Sequence, residues 1–403
     1  MTHTRAIETA DVIDDVVALR RRIHEQPELG LDLPLTQAAV LESLDGLGLT
    51  MTTGTTSSSI VADLDGSSEG ATGGPTVLLR ADMDALPLQE HSGEPFASRT
   101  AGHMHACGHD AHTAMLVGAA RLLAARRDDL RGRVRFLFQP GEEGHAGARH
   151  AMADGALDGV DAAFALHVGP NLRSGRVAWR RGAILASADE FEVDVIGRGG
   201  HASSPHWAAD PVPVACEIVL ALQTMVTRTV DAFDPAVVGI SQVRAGTTHN
   251  VIPERASMLG TVRAVSEATR RSVLENITRV AEGVAAAHGC TAEVRRHEGY
   301  PVTVNNGRAA EFQADVARSV VGDRSVTELP SPLMGAEDFS YILEAVPGAM
   351  CFLGVCPPEI RNPLTAPSCH SDRMRLDEDA LGVGVALHVA TATAFLMRSG
   401  ALG

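Results

Sequence analysis

Val134-Arg135-Phe136-Leu137-Phe138-Gln139-Pro140-Gly141-Glu142-Glu143 reads as a short apolar strand that stops at Pro-Gly and delivers two adjacent carboxylates. A run this apolar belongs in a sheet covered on both faces. Adjacent carboxylates at its end would repel each other unless a cation offset them. The same design occurs twice more. Pro75-Thr76-Val77-Leu78-Leu79-Arg80 leads to Asp82-Met83-Asp84, and Ala162-Ala163-Phe164-Ala165-Leu166 puts His167 at its tip. Helical periodicity runs over 11–25, 36–47, 112–125 and 148–156, while 57–74 is a Ser/Gly-rich hairpin or loop. Strands alternating with helices, each delivering polar residues at its C-terminal end, predict an α/β fold with an open mixed sheet flanked by helices.

The pattern changes near Ser187. Phe191-Glu192-Val193-Asp194-Val195 alternates like a half-exposed strand, followed by a helix over 210–227, strands at 237–243 and 256–264, a helix over 267–288 and a strand at 291–296. The order β-α-β-β-α-β suggests an α+β ferredoxin-like module inserted into the first domain. The expected organisation is therefore a catalytic domain over residues 1–186 and 299–403, interrupted by an inserted domain over 187–298. At 403 residues the chain exceeds the usual size of a single core.

His105-Ala106-Cys107-Gly108-His109-Asp110-Ala111-His112 packs five metal-capable side chains into eight residues. A lone histidine or cysteine is more often structural. Here Cys107 and His109 flank a glycine that lets the backbone bend, and Glu143 and His167 arrive at strand ends, where open α/β sheets bind ligands. Thiolate, imidazole and carboxylate together suit a divalent transition metal. The Glu142-Glu143 pair supplies one carboxylate to hold metal and one to move protons. His103, His105, His112 and His145 are candidates for supporting or merely exposed positions. Asp84, alternating with Asp82 on one strand face, is the candidate to orient a ligand imidazole.

The net charge of −16 argues against nucleic-acid and anionic-membrane partners. All 34 basic residues are arginine, which excludes lysine Schiff-base chemistry and a P-loop lysine. The six cysteines are spread through the chain and form no secreted disulfide framework; Cys216, in an apolar helical run, is expected to be buried. Met1 to Asp15 carries acids and no apolar core of a leader, and no uninterrupted apolar stretch reaches spanning length, so a cytoplasmic location is expected.

Arg80-Ala81-Asp82-Met83-Asp84-Ala85-Leu86-Pro87, Met104-His105-Ala106-Cys107-Gly108-His109-Asp110 and Gln139-Pro140-Gly141-Glu142-Glu143-Gly144 together resemble the M20 metallopeptidase family. The likeness is to its amidohydrolase branch of hippurate hydrolases, N-acyl-amino-acid aminoacylases and auxin-conjugate hydrolases. It runs from Arg22-Ile23-His24-Glu25-Gln26-Pro27-Glu28-Leu29 to Met334-Gly335-Ala336-Glu337-Asp338-Phe339. The Cys107 motif is specific to that branch; related peptidases carry His-x-Asp where Asp82-Met83-Asp84 stands. The resemblance implies a zinc-peptidase-like catalytic domain with metal ligands Cys107, His109, Glu143, His167 and His370, and Glu142 as catalytic base. His370 departs from the pattern: the family has leucine before it and Ser-Pro after, whereas here it stands in Ser368-Cys369-His370-Ser371-Asp372, so Cys369 is a rival ligand.

The resemblance also implies that His201 polarises the scissile carbonyl, acting in a partner's site. It likewise implies that Asn250 and Arg263 hold the substrate carboxylate, that the inserted domain forms a homodimer or tetramer, and that two divalent ions (zinc, manganese, cobalt or nickel) serve each subunit. The small-molecule substrate is an N-acyl-amino acid such as a hippurate-like or N-acetyl conjugate. The rival readings are a metallo-dipeptidase or aminopeptidase of the same clan and a binding protein that lost turnover.

Overall fold

A computed structural model describes residues 9–68 and 71–402. Residues 1–8 of the stretch read for a leader, and Glu69 and Gly70 of the Ser/Gly-rich segment, lie outside them. The chain divides into two compact units: Met1–Ile184, Val304–Ser331 and Tyr341–Gly403 form the first, Leu185–Thr303 and Pro332–Ser340 the second. In chain order the first unit contributes α1 (Ile13–His24), α2 (Pro34–Leu44), β1 (Thr50–Thr53), β2 (Ile60–Asp65), β3 (Thr76–Asp82), α3 (His109–Ala124), β4 (Arg133–Gln139), α4 (Gly147–Ala153), β5 (Ala162–Arg173) and β6 (Val177–Trp179). The second unit supplies β7 (Ala188–Ile196), α5 (Pro211–Thr229), β8 (Ala236–Ala245), β9 (Arg255–Ala264), α6 (Glu267–Ala287) and β10 (Thr291–Tyr300). The chain then returns to the first with α7 (Gly307–Val321), β11 (Val326–Glu328), β12 (Gly348–Cys356) and α8 (Leu381–Met397).

The first unit is built on an eight-stranded mixed sheet, in the order β1-β2-β4-β3-β5-β12-β6-β11. Its centre is parallel: β3 pairs with both β4 and β5, and β5 with β12. Every residue of β3 and of β12 is buried, as central strands covered on both faces must be. Arg80 is tolerated inside β3 because it pairs with Asp82 at 2.6 Å and donates to the Gln139 side chain at 3.1 Å. α3 and α8 are apolar nearly all round because both lie in the core. They approach closely at Gly384, where a Cβ would fall 2.0 Å from Met115 Sδ.

The second unit carries a four-stranded antiparallel sheet ordered β8-β9-β7-β10, the ferredoxin-like arrangement. Phe191, Val193 and Val195 of β7 pack with Val214, Ile218 and Leu222 of α5 and Val273 and Ile277 of α6 in a core of their own. On the opposite face Glu192 and Asp194 pair with Arg295 at 2.6 and 2.7 Å. α5 opens on an Asp210 cap that accepts from the Val212 N–H at 2.9 Å, with Pro211 in the first turn.

Three expectations are corrected. Cys216 is exposed, because α5 is apolar around much of its surface and composition alone does not give its phase. β5 runs through His167 to Arg173, so that histidine sits inside a strand rather than at its tip. Two segments, Pro211–Thr229 and Glu378–Met397, are long and apolar enough to cross a membrane, contrary to the reading that none is. The second is 72% buried within the first unit, as a core helix is.

Candidate metal centre

Parallel register sets Asp82 at the end of β3 beside Gln139 at the end of β4, so the loops that follow leave the sheet at the same edge. Asp84 ties them together. Its Oδ1 accepts the Glu142 N–H and its Oδ2 the Glu143 N–H, each at 3.0 Å. Its carbonyl oxygen accepts from His109 Nδ1 at 2.9 Å. The sequence reading gives Asp84 the orienting of an imidazole; its backbone carbonyl bonds the His109 ring, its carboxylate lies 3.5 Å from the same nitrogen, and that carboxylate also shapes the Glu142-Glu143 loop. With Nδ1 committed, His109 Nε2 faces inward, buried and without a hydrogen-bond partner. Burial opposes positive charge on this ring, yet Asp82, Asp84 and Glu143 raise its pKa to about 10, which marks a strongly negative pocket.

Gly108 is the N-cap of α3, at φ 84°, and places Cys107 and His109 on either side of the turn. Cys107 Sγ lies 3.5 Å from His167 Nε2, and His167 Nδ1 bonds the Val168 carbonyl at 2.7 Å. His370 adopts φ 68°, unusual for a non-glycine residue, and donates its N–H to the Ala106 carbonyl at 2.7 Å. That conformation presents Nε2 3.1 Å from Glu143 Oε1. The Glu143 carboxyl is held below its usual range: burial resists this, and His370 and His109 outweigh it.

The structure therefore brings Cys107, His109, Glu142, Glu143, His167 and His370 together. Donor atoms of three sets, Cys107/His109/His167, Cys107/Glu143/His370 and His109/Glu142/Glu143, each lie within 4.8 Å of one another. Overlapping sets of soft sulfur, imidazole and carboxylate, with an inward His109 Nε2 that no hydrogen bond satisfies, fit divalent cations. The Cys107 thiol is pushed up, first by its hydrogen bond with Cys369, then by burial and the Glu142 and Glu143 carboxylates. Cys369 enters none of these donor sets.

Two buried networks brace the cluster. His112 Nδ1 donates to Asp82 Oδ1 at 2.5 Å and its Nε2 accepts the Val168 N–H at 2.8 Å, locking the strand that carries His167. Beneath α3, His24 pairs with Asp110 at 2.8 Å and Glu90 at 3.1 Å, and Arg20 joins Asp110 at 2.9 Å and Glu378 at 2.7 Å. Sequence reasoning passed over Arg20, Glu90 and Glu378 and counted Asp110 only among the metal-capable side chains; an arginine and a histidine on the inward face of α1 were the available signal. His105 is buried with neither ring nitrogen bonded, and burial pushes its pKa down to about 3, so it packs as a neutral ring. His103 is half-buried and His145 exposed.

His201, Asn250 and Arg263 stand on the second unit. His201 is exposed; Ser203 donates its N–H to His201 Nδ1 at 3.1 Å, leaving the ring proton on Nε2. Asn250 is its neighbour, since His201 pairs with Val251 and the Ala202 N–H reaches the Asn250 carbonyl at 3.1 Å. Arg263 sits apart from them on β9, opposite Val237 of β8.

Residues 78–394 match the profile of peptidase family M20/M25/M40. N-acetylcysteine deacetylase of Bacillus subtilis is 39% identical over 376 residues, covering 91% of this chain and 93% of that protein. Thermostable carboxypeptidase 2 of Saccharolobus solfataricus is 37% identical over 388 residues, 96% of both chains. Among solved structures, a dinuclear metal-binding peptidase of the M20 family from Bacillus subtilis superposes with a TM-score of 0.83 at 34% identity, over 96% of this chain and 99% of that one.

Proposed function

The chain belongs to peptidase family M20/M25/M40, and from that membership we propose that the Cys107–His370 cluster is the active centre of a metal-dependent amidohydrolase cleaving N-acyl-amino acids to a carboxylic acid and a free amino acid. The observation that carries the reading is Asp84 holding Glu142 and Glu143 by adjacent backbone N–H groups, with both carboxylates within 4.8 Å of a His109 ring nitrogen. The similarity to a deacetylase of N-acetylcysteine supports the substrate class.

Cys107, His109, Glu143, His167 and His370 would hold two divalent cations, which when bound acidify water and polarise an acyl oxygen. Glu142, buried and anchored through its N–H, takes a proton from the attacking water and passes it to the departing amine. The Nε2–H of His201 would reach a partner's site and donate to the oxyanion there as it develops. Arg263 offers a planar fork to the substrate carboxylate, and Asn250 adds an amide donor. Glu142→Gln should lower turnover by about 10²–10⁴-fold with metal content unchanged in elemental analysis; near-normal turnover would show that another group is the base.

The thiolate among the ligands favours zinc, and the carboxylates and imidazoles also accept manganese, cobalt or nickel. Reloading chelated protein with each ion and assaying it ranks them. The assembly we favour is a homodimer through the second unit, with a tetramer as the next larger form, in the cytoplasm; sedimentation of the purified chain tests the first point and fractionation the second. A peptidase is the second reading, favoured by the similarity to a carboxypeptidase. Blocked amino acids assayed against unblocked dipeptides separate the two.

A further inference from the structure

Cys107 is buried and Cys369 part-exposed. The backbone brings these two residues side by side. The His370 N–H bonds the Ala106 carbonyl at 2.7 Å, clamping the residues that flank the two cysteines. Both thiols also lie over the same stretch of β5: Cys107 Sγ is 3.5 Å from His167 Nε2, and Cys369 Sγ approaches the Val168 carbonyl at 4.0 Å. The other four cysteines, at 216, 290, 351 and 356, make no such pairing among the described residues.

We propose that Cys107 and Cys369 form an oxidative modification site, in which a hydroperoxide converts the two thiols to a disulfide and withdraws Cys107 from the metal centre. The sulfur of Cys369, the more exposed of the two residues, attacks the peroxide; the O–O bond breaks, one oxygen stays as a sulfenic acid and the other leaves as water or an alcohol. Cys107 sulfur then attacks the sulfenic sulfur, the S–S bond forms, and the second oxygen leaves as water. The two thiols lose two electrons and the peroxide gains them. A sulfur committed to a disulfide no longer offers a thiolate, so the cation is released. A small thiol reverses the bond, and added metal restores the centre.

The formation of the bond needs only the two thiols; the metal loss rests on reading Cys107 as a ligand, and the experiment separates them. Metal-loaded wild-type protein, Cys369→Ser and Cys369→Leu are treated with hydrogen peroxide, then followed by thiol titration, peptide mass mapping, elemental analysis and turnover. Wild type is expected to lose two thiols as a mapped Cys107–Cys369 cross-link, to release metal and activity in step, and to regain both with dithiothreitol and metal. Both variants should retain metal at least roughly tenfold longer. Absence of the cross-link, or equal metal loss in the variants and wild type, overturns the proposal. A cross-link that forms with metal fully retained overturns the coupling and the ligand role of Cys107 together, while leaving Glu142 to its own test.

Discussion

Asp84 makes three polar contacts from one position: two carboxylate oxygens and a backbone carbonyl hold Glu142, Glu143 and His109. Replacing it with alanine leaves two backbone N–H groups of the loop unsatisfied, at a cost of about 1–3 kcal/mol each where they are buried. Asp84→Ala should therefore lower the melting temperature and, because Glu143 is no longer fixed, lower metal occupancy as well. Calorimetry and elemental analysis on the same sample check both; loss of stability at full occupancy would show that the loop holds its shape unaided. Glu142→Gln differs in kind: it removes the proposed proton carrier from an intact frame, whereas Asp84→Ala loosens the frame around it.

At the scale of the element, α3 starts where Gly108 turns left-handed, and a Cβ there would lie 2.3 Å from Val168 Cγ2. Gly108→Ala meets both the unfavourable φ and that clash, so it should cost roughly 1–3 kcal/mol and displace Cys107 relative to His109. Metal affinity measured by competition with a chromogenic chelator should fall; unchanged affinity would mean the turn relaxes without moving either side chain. The strand–helix alternation and the β-α-β-β-α-β order were legible because they rest on periodicity and chain order. The His167 strand was misjudged because Gly169-Pro170 reads as a stop, whereas parallel pairing with β12 carries β5 past it. The burial of Cys216 was misjudged because an apolar helix conceals its own phase. The metal-capable residues were legible as types at strand ends, but the partnership of Cys369 with Cys107 depends on a chain crossing that no local pattern encodes.

At the scale of the molecule, the network of His24, Asp110, Glu90, Arg20 and Glu378 ties α1, α3, the loop before Ser92 and the segment entering α8 into one ionic knot. Burial opposes charge on His24, yet Asp110 and Glu90 raise its pKa to about 9, above the ordinary 6.5. The folded state thus binds the proton more tightly than the unfolded chain. The resulting stabilisation is complete below pH 6.5, drains away between 6.5 and about 9, and is gone above. It amounts to about 3 kcal/mol. Asp110 runs the other way: burial disfavours its charge, but Arg20 and His24 hold its carboxyl well below 3.8, so its contribution is lost as acid protonates it. Melting temperature followed against pH should fall on the alkaline side for the wild type, with that limb flattened in His24→Gln. Identical alkaline limbs would show that the pair contributes nothing net.

One consequence of the sheet order concerns synthesis rather than catalysis. β12 lies between β5 and β6, although some 170 residues of chain separate it from them. The sheet is thus completed by the last strand of the described residues to be made, and His370 emerges later still. A nascent chain accordingly lacks the completed sheet until synthesis has passed β12. A chain stopped at Pro347 should be cleaved rapidly by added protease and should retain no metal on desalting; protease resistance at that length would mean the sheet closes without its central strand.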